Sequence, residues 1–324
     1  MTSQEKANSI ALKLRALRTN LSRYFVNRQD IIDLLILSTV LQEPLLLVGE
    51  PGTAKSELIV TFCESLQLPK EDYFEYMLTK FTEPSEILGP IDIALLKKGR
   101  YVRRIEGRLP TAKIVFLDEI FKSNSAILNT LLTIINERKF YQDGQPERVK
   151  MNMLFAATNE IPESSDLNAL KDRFILKVET KSVRHQHFKE LLKKGVGNEV
   201  FKSQNQKPWM NSGVSLLDIL ELNNHLESRL QKMVERDLAS RLFPEPLLLL
   251  FQRICMTLEK EEGVVLSDRK IIKLYKMMIA HAFIFHGGPV LKEDLHILRF
   301  VADRRSDMDR INERVSQFLQ LDPS

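Results

Sequence analysis

An α/β fold with a parallel five-stranded sheet, followed by an all-helical region, is predicted by three features of the chain. Five short, largely uninterrupted apolar runs fall between residues 45 and 178, separated by stretches patterned for helix or loop. Most of these runs do not alternate apolar with polar residues, so they read as strands buried on both faces. Beyond residue 215 no strand candidate follows, and the periodicity is helical.

Taken in order, "IIDLLILSTVL" (31–41) is a helix that turns from amphipathic to buried, and Pro44 stops it before the first strand, 45–48. A glycine-bearing loop leads into a helix from about Lys55 to Leu66. "YFEYMLT" (73–79), "KIVFLDE" (113–119), "MNMLFAATNE" (151–160) and "RFILKV" (173–178) supply the other strands. "NSAILNTLLTIINER" (124–138) is helical, capped by Ser123 or Asn124. This places an α/β core at 1–180. Residues 181–214 read as a linker, because "KGVGNEVFKSQNQKPWMNSGV" is polar and glycine-bearing. The helical region is 215–324, where "LSDRKIIKLYKMMIAHAFIFHGG" forms one helix, capped by Ser267 and stopped at Gly287-Gly288-Pro289.

Of the 324 residues, 44% are hydrophobic and 28% charged, as in an ordinary soluble protein. A net charge of +4 is too small over this length to announce a nucleic-acid binder. No apolar stretch reaches about 18 residues, and residues 1–20 are charged throughout, so neither a membrane span nor a signal peptide is expected. Cys63 and Cys255, far apart in apolar helical contexts, are expected to be buried free thiols, which points to the cytoplasm.

The chemistry begins at "VGEPGTAKSE". Against the phosphate-loop template G-x-x-x-x-G-K-[ST], Gly49, Lys55 and Ser56 fit, and Ala54 replaces the last glycine. Such a loop turns backbone N–H groups inward onto phosphate oxygens at a helix N-terminus. Gly49, Glu50, Pro51, Gly52 and Thr53 form the loop, and Ala54, Lys55, Ser56 and Glu57 carry it into the helix. Lys55 is expected to reach the β- and γ-phosphates, and Ser56 to hold Mg²⁺. Ala54 is tolerated if its φ is already negative and helix-like.

Asp118 ends a buried strand, where a carboxylate needs a cation or donors; a Mg²⁺ shared with Ser56 meets that need. Glu119 then polarises a water for attack on the γ-phosphate, the alternative being two solvated or helix-capping acids. Asn159, after "FAAT", orients a water or touches the γ-phosphate, or is an ordinary turn residue. Arg173 serves a neighbouring subunit's γ-phosphate or pairs with Asp172 or Glu179. Arg269 opposes the dipole of its helix unless a phosphate is bound there.

The order phosphate loop, "FLDE", "ATN", "DRF" and "SDR" resembles the AAA+ ATPases, more narrowly the MoxR group and its RavA-like members. "FTEPSEILGPIDIALLKKGRYVRRIEGRLPTAKIVFLDEIFKSNSAILNTLLTIINER" carries the resemblance, which spans about 28–290 with the flanking motifs. Alanine at the position of Ala54 is common in that group. The resemblance implies an AAA+ phosphate-loop core with a helical lid, and Mg²⁺-dependent ATP hydrolysis in a ring, usually a hexamer. It makes Asn159 sensor 1, Arg173 the arginine finger and Arg269 sensor 2, the last two acting on a neighbour's nucleotide or their own. It also implies an insert hairpin at about 90–108 and a second hairpin at 138–151. The expected role is remodelling a protein partner, one with a von Willebrand factor A domain; a DNA-acting motor and a metal-chelatase subunit are the alternatives. The insert carries Lys97, Lys98, Arg100, Arg103, Arg104 and Arg108 with Tyr101 as its one aromatic, which favours a solvated or protein-facing hairpin over a nucleic-acid grip.

Overall fold

The five apolar runs form one parallel sheet, ordered β2-β3-β6-β1-β7. Its strands are β1 (Leu45–Val48), β2 (Tyr73–Met77), β3 (Ile114–Asp118), β6 (Met153–Thr158) and β7 (Leu176–Glu179); β4 (Lys139–Gln142) and β5 (Gln145–Arg148) form a separate hairpin. The computed structural model describes residues 2–164, 167–210, 213–236 and 238–321. The outermost residues of the expected core and helical regions, 1 and 322–324, and residues 211–212 of the expected linker lie outside the described residues.

Leu45 of β1 pairs with Phe155 of β6 on one side and Leu176 of β7 on the other. Because every strand runs the same way, Gly49, Asp118, Asn159 and Thr180 all emerge at one edge of the sheet. The strand order reverses around β1, and open α/β sheets bind ligands in the crevice at such a point. Burial selects the apolar runs: all four residues of β1 and all six of β6 are buried. Strand β7 starts later than Arg173, since Arg173 N–H donates to Leu170 O (3.1 Å) and Phe174 N–H to Lys171 O (3.2 Å), closing a turn first.

Twelve helices accompany the strands among the described residues: α1 (Ser3–Ser22), α2 (Gln29–Leu41), α3 (Lys55–Ser65), α4 (Pro84–Leu88), α5 (Ile93–Leu96), α6 (Ser125–Glu137), α7 (Asn168–Lys171), α8 (Phe188–Ser203), α9 (Leu216–Glu235), α10 (Glu245–Glu262), α11 (Asp268–Phe285) and α12 (Met308–Leu321). Asn124 caps α6, its Oδ1 accepting from Ile127 N–H at 3.1 Å. Ser267 caps α11. Thr2 and Glu5 form a capping box on α1, a helix the charged N-terminal sequence had concealed. The buried residues Ala7, Ile10, Ala11, Leu14, Leu17 and Leu21 make one stripe of α1. Lys6 and Lys13 pair with Glu221 (2.8 Å) and Asp218 (3.4 Å) of α9. One apolar cluster runs from Ala7 to Val315, so the helices after residue 215 share a core with the sheet.

Part of the expected linker is ordered helix. Helix α8 covers 188–203 despite Gly195 and Gly197. Lys194 Nζ donates to Ser22 O (2.9 Å) and Phe25 O (3.0 Å), and Asn198 Nδ2 to Tyr24 O (3.0 Å), so tertiary contacts offset the glycines' helix cost of about 1 kcal/mol each.

The 90–108 insert is closed by a single antiparallel bridge, Ile91 with Arg103, and carries the one-turn α5 instead of two full strands. Asp143 and Gly144 both have positive φ (52° and 74°), which gives the β4–β5 hairpin the tight turn that matches strand twist. This turn holds the insert: Tyr101 N–H donates to Asp143 Oδ1 (2.9 Å) and Asp143 N–H to Tyr101 O (2.8 Å). Cys63 and Cys255 are both free and buried.

Candidate functional site

The loop after β1 is shaped by contact with β7. A Cβ on Gly49 would lie 2.2 Å from Thr180 Oγ1 and 2.6 Å from Thr180 O, so only glycine fits. Thr180 N–H donates to Val48 O (2.7 Å), and its hydroxyl lies 2.9 Å from the hydroxyl of Thr53, which in turn donates to Glu50 O (2.8 Å). Thr180 thus braces the loop from outside the motif. Sequence reasoning missed it, because nothing marks a threonine after a strand as special.

The expectation for Ala54 is overturned. Its φ is +63° and ψ +26°, the left-handed region, immediately before α3 begins. The template glycine at this position therefore meets a backbone requirement, and alanine bears a strain of about 1–2 kcal/mol there. Ala54→Gly should relieve it, while the freer unfolded chain takes back about 0.4–1 kcal/mol. A small rise in the denaturant midpoint is expected, and a fall would contradict this reading.

Lys55 opens α3 and is buried. Its ammonium donates to Gly49 O (2.5 Å), Glu50 O (3.0 Å) and Asn159 Oδ1 (3.3 Å). Burial lowers its pKa, Asp118 and Glu119 oppose that shift, and Arg305 adds to it. Ser56 Oγ donates to Asp118 Oδ2 at 3.4 Å. Glu119, with a left-handed φ of 52°, turns the chain out of β3, and its N–H donates to Asp118 Oδ1 (2.8 Å). Asn159 Nδ2 donates to Glu119 Oε1 (2.5 Å), and Lys122 Nζ lies 3.1 Å from the same oxygen. The other oxygen, Glu119 Oε2, is buried with no partner among the described residues. Lys55, Ser56, Asp118, Glu119 and Asn159 are thus joined in one cluster.

A cavity of about 240 Å³ opens beside the loop, lined by Gly52, Thr53, Ala54 and Glu57, by Tyr24, Phe25 and Arg28, and by Leu191, Lys194 and Asn198 of α8. The segment read as a linker therefore walls the site. Its signal was present as apolar residues at 188, 191, 192, 196 and 200, a helical spacing inside the stretch 181–214 read as a linker. Glu57 pairs with Lys202 of α8 at 2.6 Å, while Glu50 and Pro51 are exposed.

Arg173 and Arg269 are not part of this cluster. They line a different cavity of about 320 Å³ with Ser267, Lys270 and Lys273, at the N-terminus of α11. The local alternative for Arg173 does not form: Asp172 pairs with Lys270 (3.0 Å), and Glu179 with Arg305 (3.0 Å). Arg173 Nε is buried without a partner among the described residues. Two guanidiniums, two lysines and the carboxylate of Asp172 thus line a space whose lining includes no residue of the phosphate loop.

A family profile described as the MoxR domain of the MoxR-vWA-beta-propeller ternary systems matches residues 12–222. The chain belongs to the MoxR family of AAA+ ATPases. This MoxR chain is 34% identical over 289 residues to the uncharacterized protein MJ0812 of Methanocaldococcus jannaschii, covering 89% of this chain and 70% of that one. It is 42% identical over 178 residues to a second protein of that organism, MJ0079, covering 55% of this chain and 46% of that one. A structural protein, ORF618, of Acidianus two-tailed virus is 35% identical over 174 residues, covering 52% of this chain and 28% of that one. The chain therefore spans less than half the length of the latter two relatives. A solved structure of a candidate ATPase from Cytophaga hutchinsonii has the same fold, with a TM-score of 0.70 at 19% identity, covering 98% of this chain and 96% of that one. A parallel-sheet core with its phosphate loop after β1 and a helical C-terminal region is thus the AAA+ arrangement in this MoxR protein.

Proposed function

We propose that this chain hydrolyses ATP to ADP and phosphate with Mg²⁺, in an oligomer whose subunits complete one another's sites, and that the cycle remodels a protein partner. The observation that carries the reading is the cluster of Lys55, Ser56, Asp118, Glu119 and Asn159 at one sheet edge, with Glu119 Oε2 buried and without a partner among the described residues. Ser56 and Asp118 are the hard oxygen donors suited to Mg²⁺, which is commonly held by one or two carboxylates together with substrate phosphates. When bound, that ion neutralises charge on the phosphate oxygens.

The chain's own groups divide the remaining work. Lys55 exchanges the carbonyls of Gly49 and Glu50 for phosphate oxygens. Glu119 holds the attacking water and takes its proton as the bond from water oxygen to γ-phosphorus forms and the bond to the leaving ADP oxygen breaks. Asn159, bonded to both Lys55 and Glu119, fixes the two relative to each other. Arg173 and Arg269, facing a cavity away from their own phosphate loop, supply positive charge to a neighbour's γ-phosphate. A hexameric ring of the RavA-like kind fits this division.

A von Willebrand factor A domain protein is the partner class suggested by the ternary systems for which the matching family is described. Exposed Ile93, Leu96, Tyr101 and Tyr141 on the stitched hairpins give an apolar face suited to protein. Four insert arginines are engaged within the chain: Arg100 with Asp143, Arg104 with Asp92, Arg103 with Gly89 O and Arg108 with Glu86 O. That disfavours a nucleic-acid role. No helix among the described residues is long and apolar enough to cross a membrane. We assign the protein to the cytoplasm on its two buried free thiols. Phosphate release from purified protein tests the activity: turnover that needs ATP and Mg²⁺ and stops with excess chelator is expected, and ATP-independent background alone would contradict it.

A further inference from the structure

Arg305 lies in the short segment between residue 300 and α12, far in sequence from every motif. Its guanidinium nevertheless reaches the carboxyl edge of the sheet. Nε donates to Glu179 Oε1 (3.0 Å), Nη1 donates to Asn159 O (3.3 Å), and Nη2 lies 4.0 Å from Glu50 Oε1. These three partners lie at the carboxyl ends of β7, β6 and β1, adjacent strands of the sheet. A planar fork with donors pointing apart suits two hydrogen bonds and a longer ion pair spread in this way better than an ammonium on a lysine stem.

Asp303, two residues earlier, fastens the other end of the segment. Its carboxylate meets the fully buried Lys177 of β7 (3.2 Å) and Lys270 of α11 (3.6 Å), and it accepts from Val265 N–H (3.2 Å). Burial pushes that carboxyl's pKa up, but Lys177 and Lys270 outweigh this and hold it below its usual value, so it stays charged. Lys270 adjoins Arg269 and also bonds Asp172, which adjoins Arg173. The segment 303–305 therefore touches the phosphate cluster at one end and the supports of the two outward arginines at the other.

We propose that Arg305 is a positioning residue for hydrolysis, fixing the Asn159 backbone so that Asn159 holds Lys55 and Glu119 in register, and that through Asp303 it ties this cluster to Arg173 and Arg269. The proposal rests on the ATPase reading above. Arg305 does not touch the reacting atoms. Its loss leaves Lys55 held on the carbonyls of Gly49 and Glu50, ready to bind ATP, and displaces Asn159 and with it Glu119, which work at the chemical step.

The test is steady-state phosphate release at varied ATP by wild type, Arg305→Lys and Arg305→Ala, with fluorescent-ATP binding and thermal melting of each. Arg305→Ala is expected to lower kcat about 10–10²-fold, the scale of a small misplacement in a catalytic site, with KM and ATP affinity nearly unchanged. Arg305→Lys is expected to fall between the two, since it keeps the charge but not the fork. A wild-type kcat in Arg305→Ala at an unchanged melting temperature overturns the proposal, as does a loss confined to KM. Should Arg305→Ala not fold, Arg305→Lys decides: lowered kcat at constant KM supports the proposal, and wild-type kcat overturns it. Wild-type protein that binds no ATP overturns the ATPase reading and the proposal together. Hydrolysis by wild type alongside unaltered variants overturns the proposal alone.

Discussion

Lys55→Ala should abolish tight ATP binding, whereas Glu119→Gln should bind ATP as the wild type does and fail to hydrolyse it. The two side chains lie in one cluster, both held by Asn159, yet are proposed to do different work. In the proposed mechanism Lys55 meets phosphate oxygens already present in the bound ground state, so its loss should appear in affinity. Glu119 is proposed to act on the attacking water, so its loss should appear in the transition state alone. Glutamine keeps the shape and can still accept from Asn159 Nδ2, but it cannot take a proton. Loss of a general base commonly costs about 10²–10⁴-fold in turnover. Calorimetry with ATP and single-turnover phosphate release separate the two effects. Equal loss of affinity in both variants would contradict the assignment. The Glu119→Gln form, loaded with ATP, is also the form expected to retain a partner in a pull-down.

Much of this site was legible in the sequence because strand ends and short motifs are local. "LLLVGEPGTAKS" and "IVFLDE" carry a buried strand and its chemistry in a dozen residues or fewer, and a parallel sheet must bring their carboxyl ends to one edge. What the sequence hid depends on distant contacts. Helix α8 looked like a linker because Gly195 and Gly197 lower its propensity, and only Tyr24, Phe25 and Ser22 show why it folds and walls the cavity. Arg305 and Thr180 lie outside any motif and gain meaning from where β7 and the C-terminal helices put them. Ala54 was misjudged for another reason. Residue 54 directly precedes a helix, which suggests helical φ, but the chain enters α3 through the left-handed region there, with φ +63°.

Arg173→Ala should bind ATP nearly normally and hydrolyse it very slowly. Its guanidinium faces the cavity it shares with Arg269, not its own phosphate loop, and neither Asp172 nor Glu179 neutralises it. Under the proposed division of labour, a positive charge placed this way would act on phosphate supplied by another subunit. In other phosphoryl-transfer systems such an arginine is worth about 10³–10⁵ in turnover. Were Arg173 only a surface ion-pair partner, its removal would cost about 0–1 kcal/mol of stability and leave turnover intact.

The central claim, that the working site is assembled from two subunits, is tested most directly by mixing Arg173→Ala with Lys55→Ala and measuring phosphate release. Each variant alone lacks one half of every site. Subunit exchange creates some interfaces with an intact phosphate loop on one side and an intact arginine on the other. The account predicts that the mixture hydrolyses ATP faster than either parent, under conditions where exchange of labelled subunits is demonstrated. Exchange without any recovered hydrolysis would contradict it.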